Sequence, residues 1–170
     1  MNTKAVSALF DKIGPGILAT HLASCSPGWH TVIKNSNIKA VVSFEPGMDY
    51  PFPESEKLPE PVPFNNGRSF PISTVPDVDF EKLTRISIVI YFGDNIAEEP
   101  SINPGQDQWH VYLATARIWA EVVNRHGGDV TIVHLPEIGV QGNTYFLMSD
   151  LNNHQIAELM SAWLAKKGLD

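Results

Sequence analysis

An α/β fold of about four parallel strands flanked by helices is what this sequence predicts, on three observations. Four short runs are apolar almost throughout, the pattern of strands covered on both faces. Helical-period segments separate them, and parallel neighbours need such crossovers. The clearest unit is a long helix over Gln108 to Arg125, followed at once by the strand DVTIVHL, which completes a β-α-β arrangement.

In chain order, Val6, Leu9, Phe10 and Ile13 recur at helical spacing, and Gly14-Pro15-Gly16 stops that helix. Ile17 to Thr20 reads as a short buried strand ending at His21, and Pro27 to Lys34 as a second helix. Ile38 to Phe44 (IKAVVSF) is rich in β-branched residues and ends at Pro46-Gly47. Ile86 to Phe92 (ISIVIYF) is the next strand, closed by Gly93-Asp94-Asn95. Gly127-Gly128 ends the long helix, and the last strand runs from Asp129 to Leu135. Ile156, Leu159, Met160, Trp163 and Leu164 mark a final amphipathic helix that Asn152 or Asn153 can cap.

One stretch departs from this rhythm. Eight of the 13 prolines fall between Pro46 and Pro76, which disfavours regular helix or central strand there. The insertion follows the C-terminal end of a strand, where ligands bind in open α/β sheets. It reads either as a lid or pocket wall, or as an ordered surface excursion.

The composition narrows the function. With 170 residues, 43% hydrophobic, the chain is sized for a single domain over 1–170 with a real core. A formal charge of −7 argues against nucleic acid or an anionic membrane as partner. A single cysteine, Cys25, permits no intrachain disulfide and makes a reducing, cytoplasmic setting the expectation. The N-terminus lacks a signal-like apolar core, and no apolar run is long enough to span a bilayer. His30, His110, His126 and His154 are scattered without metal-ligand spacing, so neither a metal nor another cofactor is expected.

The segment ILATHLASCSPGW, Ile17 to Trp29, resembles the strand, sharp turn and helix that present the nucleophile in α/β-hydrolases. More narrowly, it is similar to microbial esterases whose elbow reads roughly His-Ser-x-x-Gly, then Gly-Trp. The likeness continues through VVSFEPG (Val41 to Gly47), IVIYFGDNI (Ile88 to Ile96), GGDVTIVHLPEIGVQGNTYF (Gly127 to Phe146) and MSDLNN from Met148. It covers nearly the whole chain and implies the C-terminal half of a hydrolase, a truncated α/β-hydrolase-like fold.

Carried across residue by residue, the resemblance implies a degenerate triad. The nucleophile position falls on Leu22, whose side chain has no heteroatom to attack a carbonyl. The histidine position, in a pattern like Gly-Asn-x-His-Phe, falls on Tyr145, a poor general base at neutral pH. The acid matches Glu45, with Asp94 as the alternative. Since triad members act as a unit, ordinary ester hydrolysis is not expected.

Other groups near these positions could carry chemistry. Cys25 is an alternative nucleophile, but its position carries a glycine in the resembling pattern, which suits a small buried residue better. Ser24 and Ser26 suit turn or capping roles. His21 is expected to support the elbow, and His134 to pack at the end of the last strand. Glu45 and Tyr145 could pair at the mouth of a pocket for a small apolar molecule. Its lining is expected from His21, Leu22, Ala23, Trp29, Phe44, Tyr50, Phe52 and Phe146. Tyr145 could equally fill only the volume of a dispensable histidine.

Three functions stay open: a binding or assembly protein derived from a hydrolase, an enzyme of non-hydrolytic chemistry such as isomerisation, cyclisation or dehydration, and a residual esterase using Cys25 or a partner chain. The resemblance also leaves the Ile17–Thr20 strand at an open sheet edge, a hazard unless covered. A homodimer pairing edge to edge is the favoured partner. A separate chain supplying the N-terminal half, or the N-terminal helix and proline-rich segment folding over the edge, are the others.

Overall fold

The structure, a computed structural model, describes residues 2–47 and 49–169. Helix α1 (Thr3–Ile13) starts at Asn2, whose side chain accepts from the Lys4 N–H, and stops at Gly14 with φ 84°. Strand β1 (Gly16–His21) runs into a 3-10 turn over Leu22–Ser24 and then helix α2 (Cys25–Lys34). Strand β2 (Ile38–Phe44) follows. Within the proline-rich stretch lie two short strands, β3 (Pro51–Pro53) and β4 (Ser73–Val75). Helix α3 (Asp77–Leu83), strand β5 (Ser87–Phe92), helix α4 (Pro104–Arg125), strand β6 (Asp129–His134) and helix α5 (Asn153–Lys166) complete the order.

The main sheet is parallel throughout, in the order β1-β2-β5-β6. Period-2 alternation divides the core between its faces. Val41 of β2, with Ile88, Ile90 and Phe92 of β5, faces a large core built with Phe10, Trp29, Phe80 and Trp119, and Ile38 joins it because the register shifts between Ile38 and Ala40. Ala40, Val42, Val89 and Tyr91 face a smaller one under α5, with Ile156 and Trp163. Burial on both faces is why β2 and β5 read as continuous apolar runs.

The proline-rich stretch contributes a two-stranded parallel sheet, β3 with β4, apart from the main sheet. Side-chain hydrogen bonds tie it to α4, among them an ion pair between Glu56 and Arg125. Trp119 Nε1 donates to the Pro51 carbonyl at 2.8 Å, and the buried Asp107 carboxylate accepts the Asn65 N–H at 2.9 Å. Proline's missing N–H is tolerable because these strands are short and paired on one side only.

Strand β1 lies at one end of the sheet and pairs with β2 alone. Among the described residues no backbone hydrogen bond runs from α1 or the proline-rich segment to its outer edge. Helix α1 instead docks on α2, where Asn35 Nδ2 donates to Asp11 Oδ1 at 2.7 Å. No helix among the described residues is long and apolar enough to cross a membrane.

Candidate functional site

The C-terminal ends of β1, β2 and β5 converge on one place. After β1 the chain turns sharply at Leu22, a non-glycine residue held at φ 48°, in the left-handed region. Such a conformation costs about 1–2 kcal/mol and persists where its surroundings enforce it. Ser24 supplies the brace: its Oγ accepts the His21 N–H at 2.9 Å and donates to the His21 carbonyl at 2.8 Å. A strained turn braced by Ser24 therefore follows β1, with a leucine at its apex.

Behind the turn, Cys25 is buried against β2. Its thiol accepts from Ser43 Oγ at 3.1 Å, and burial pushes its pKa up. A thiol that is neutral and enclosed is a poor nucleophile. Gly28, one turn on, stands where a Cβ would meet Thr20 Cγ2 at 2.9 Å, so α2 packs closely on β1. Ser26 is drawn outward and donates to the Asp49 carboxylate.

Glu45 follows β2 with φ 45° and is 2% exposed. Its N–H donates to the Tyr91 carbonyl at 2.9 Å, and its Oε1 accepts the Gly93 N–H at 2.5 Å. Burial pushes its pKa to about 8, against the opposing pull of the Gly93 hydrogen bond. One N–H does not replace the hydration of a carboxylate, so the neutral acid is favoured at neutral pH.

Tyr145 is brought over Glu45 by a loop pinned from three directions. Asp94 Oδ2 accepts the Gly142 N–H at 2.5 Å. Asn143, fully buried, exchanges amide hydrogen bonds with Asn152 at 2.7 and 2.8 Å. Asp150 accepts from Thr144 through both its N–H, at 2.7 Å, and its Oγ1, at 3.0 Å. The segments GNTYF and MSDLNN are thus two halves of one scaffold. Burial, then the Glu45 and Cys25 charges, raise the Tyr145 pKa, so the phenol stays protonated.

Glu45 and Tyr145 share a cavity of about 160 Å³ with Asp94, Asn95, Ile96, Trp109 and Thr144. Trp109 and Asn95 line this cavity without any motif in the sequence to mark them. Trp109 sits with its ring centroid 5.5 Å from that of Tyr145. Its helix begins at Pro104, four residues before the expected Gln108, with Asn103 as its cap and Pro104 in its first turn. Which face of α4 meets Tyr145 depends on tertiary packing.

The other expected lining residues lie elsewhere. Trp29, Tyr50 and Phe52 are fully buried in the large core, with Trp29 and Tyr50 against Trp119. Phe44 stacks on Tyr91, and Phe146 is exposed. His21 is a strut: its Nε2–H donates to the Tyr145 carbonyl at 3.1 Å, and its ring meets those of Tyr145 and Phe146. Leu22 and Ala23 do not line the cavity. Asp94, besides holding Gly142, faces the cavity beside Glu45. His134 faces a different space, shared with His110 and Arg117. Among the described residues no group of three His, Cys, Asp or Glu side chains is placed to hold a metal ion.

A four-stranded parallel sheet flanked by helices is consistent with a truncated α/β-hydrolase fold, and two comparisons support an esterase relationship. The chain is 28% identical over 183 residues to a protein of Fungal sp. (strain ATCC 74256) named probable secreted lipase phiG, an alignment that takes in 98% of this chain and 50% of that one. It superposes on the solved structure of a novel bacterial esterase with a TM-score of 0.70 at 27% identity, over 96% of this chain and 42% of that one. No protein-family model matches. The chain therefore has an α/β-hydrolase-like esterase relationship and spans about half the length of these relatives.

Proposed function

We propose that this chain is a degenerate α/β-hydrolase that does not hydrolyse esters by a triad and keeps a small-molecule site between Glu45 and Tyr145. The observation that carries the reading is the occupant of the braced elbow. Leu22 holds the strained position at φ 48°, and no heteroatom stands there to be activated. Glu45 adds support, since a carboxyl kept neutral near pH 7 cannot stabilise an imidazolium as a triad acid does.

One observation favours a second reading, non-hydrolytic catalysis. The Glu45–Tyr145 cavity is open rather than filled, and two neutral proton donors face it. Together they suit binding a carbonyl oxygen and passing it a proton. At about 160 Å³ it admits only a few heavy atoms, below the usual range for drug-sized ligands. Residual esterase activity through Cys25 has no comparable support, because that thiol is enclosed by Ser43 and β2.

The test is hydrolysis of a short-chain nitrophenyl ester by the purified chain beside Cys25→Ala. Turnover at the buffer rate in both is expected. Wild-type turnover that Cys25→Ala abolishes would replace this reading with a rewired cysteine hydrolase.

As partner we propose a second copy of the chain, paired along β1. The outer edge of that strand is unpaired among the described residues, and an apolar groove of about 470 Å³ lined by Ala19, Phe44, Met148, Ile156 and Met160 adjoins it. A monomeric mass at micromolar concentration rules this out. The cytoplasmic setting is likewise a proposal, resting on the single buried cysteine against a fungal relative named as secreted.

A further inference from the structure

The chain carries a net charge of −7, yet one cavity reverses that sign. At the N-terminal end of β2 and β5, a cavity of about 470 Å³ is lined by Lys34, Lys39, Lys82 and Arg85 and by no acidic residue. Four of the chain's 12 Lys and Arg residues thus meet at one opening. The strands place it about 20 Å from Glu45, at the opposite end of the sheet.

Lysines near helix C-termini often only complement the helix dipole. That accounts for Lys34 and Lys82, which stand in the last turns of α2 and α3. It does not account for Lys39, exposed near the start of β2, or for Arg85, in the turn before β5. Nearby carboxylates neutralise only part of the rim. Asp79 pairs with Lys82 at 2.6 Å and Glu81 with Arg85 at 3.4 Å, and both lie on α3 outside the cavity. Lys39 Nζ donates to the Ser36 carbonyl at 2.8 Å, and neither it nor Lys34 has an ion pair among the described residues.

The floor beneath this rim is apolar: Ile33, Ile38 and Ile86, with Val32. The volume is far larger than an inorganic anion needs and falls within the range of small organic ligands. We propose that this cavity binds a small amphiphilic anion, its charged head on Lys39 and Arg85 and its short apolar body over the isoleucines. Charge selects the head, and the floor and volume select the body.

The test is calorimetric titration of the purified chain at low salt with octanoate, inorganic phosphate and 1-octanol. The double variant Lys39→Glu/Arg85→Glu is titrated beside it, its fold checked by circular dichroism. Octanoate is expected to bind at least about tenfold more tightly than either other probe and to weaken at least about tenfold in the double variant. Its affinity should also fall as salt is raised. No octanoate binding at millimolar concentration overturns the proposal. So does octanoate binding unchanged by charge reversal, which would place the ligand elsewhere, or phosphate or octanol binding as tightly as octanoate.

Discussion

The Gly93 N–H donates to Glu45 Oε1 at 2.5 Å, and any side chain at position 93 would force its surroundings to shift. A Cβ there would lie 2.9 Å from the carbonyl oxygens of both Asn143 and Thr144 and 3.1 Å from Glu45 Oε1. The strand end, the carboxyl group and the loop that carries Tyr145 all close on this one glycine. Gly93→Ala is expected to destabilise the fold by about 2–3 kcal/mol, since backbone oxygens cannot swing away as a side chain can. Urea denaturation measures this, and a loss below about 0.5 kcal/mol would show that the closure is loose.

Glu45 is expected to make stability fall as pH rises. Unfolded, its carboxyl releases its proton above about pH 4.3, whereas the folded state holds it until about pH 8. Between those values the folded state binds more protons, so this contribution, complete below about pH 4.3, is lost on the way to pH 8. Glu45→Gln keeps an acceptor for Gly93 and removes the ionisation. Its stability should exceed wild type by about 3 kcal/mol at pH 7 and by much less at pH 4.5. Parallel pH profiles for the two proteins, from denaturation at pH 4.5 to 8, would contradict this.

The loop scaffold yields a separate prediction. Asn152→Ala leaves the fully buried Asn143 amide without its partner, at a cost of about 1–3 kcal/mol. Hydrogen exchange should accelerate first over residues 142–146, before the strands respond. Uniform acceleration across β2 and β5 would mean that the pair supports the whole fold and not the loop.

Cys25 should resist a thiol reagent in the native protein. The side chain is 1% exposed and its pKa is raised by burial, so both access and thiolate fraction are low. Labelling is expected to follow global unfolding as urea is added. Rapid labelling in buffer would reveal an opening of α2 from β2.

Much of this was legible in the chain itself. IKAVVSF and SIVIYF declared two buried strands because both of their faces are covered, and the α4–β6 unit followed from its uninterrupted spacing. Helix α2 begins at Cys25, two residues before the expected start, because the elbow turn feeds straight into it. No sequence signal marks helix α3 or the β3–β4 pair: the strands are three residues each, amid prolines, and it is Trp119, far along the sequence, that binds the Pro51 carbonyl of β3. The motifs nominate Glu45 and Tyr145, which line one cavity, whereas no motif nominates Trp109 or Asn95 beside them. No local pattern says which face of α4 will look at Tyr145. The placement of Tyr50 and Phe52 in the core shows the same gap, since an aromatic residue near a site in sequence need not line it.

The most direct measurement is hydrolysis of nitrophenyl acetate by the wild-type chain and by Leu22→Ser/Tyr145→His, with circular dichroism to confirm that both fold. A wild-type rate equal to buffer, and a measurable gain in the double variant, is the predicted result. A wild-type rate above buffer that Glu45→Gln or Tyr145→Phe abolishes would contradict the central claim, because it would show ester hydrolysis running through this site without a serine or a histidine.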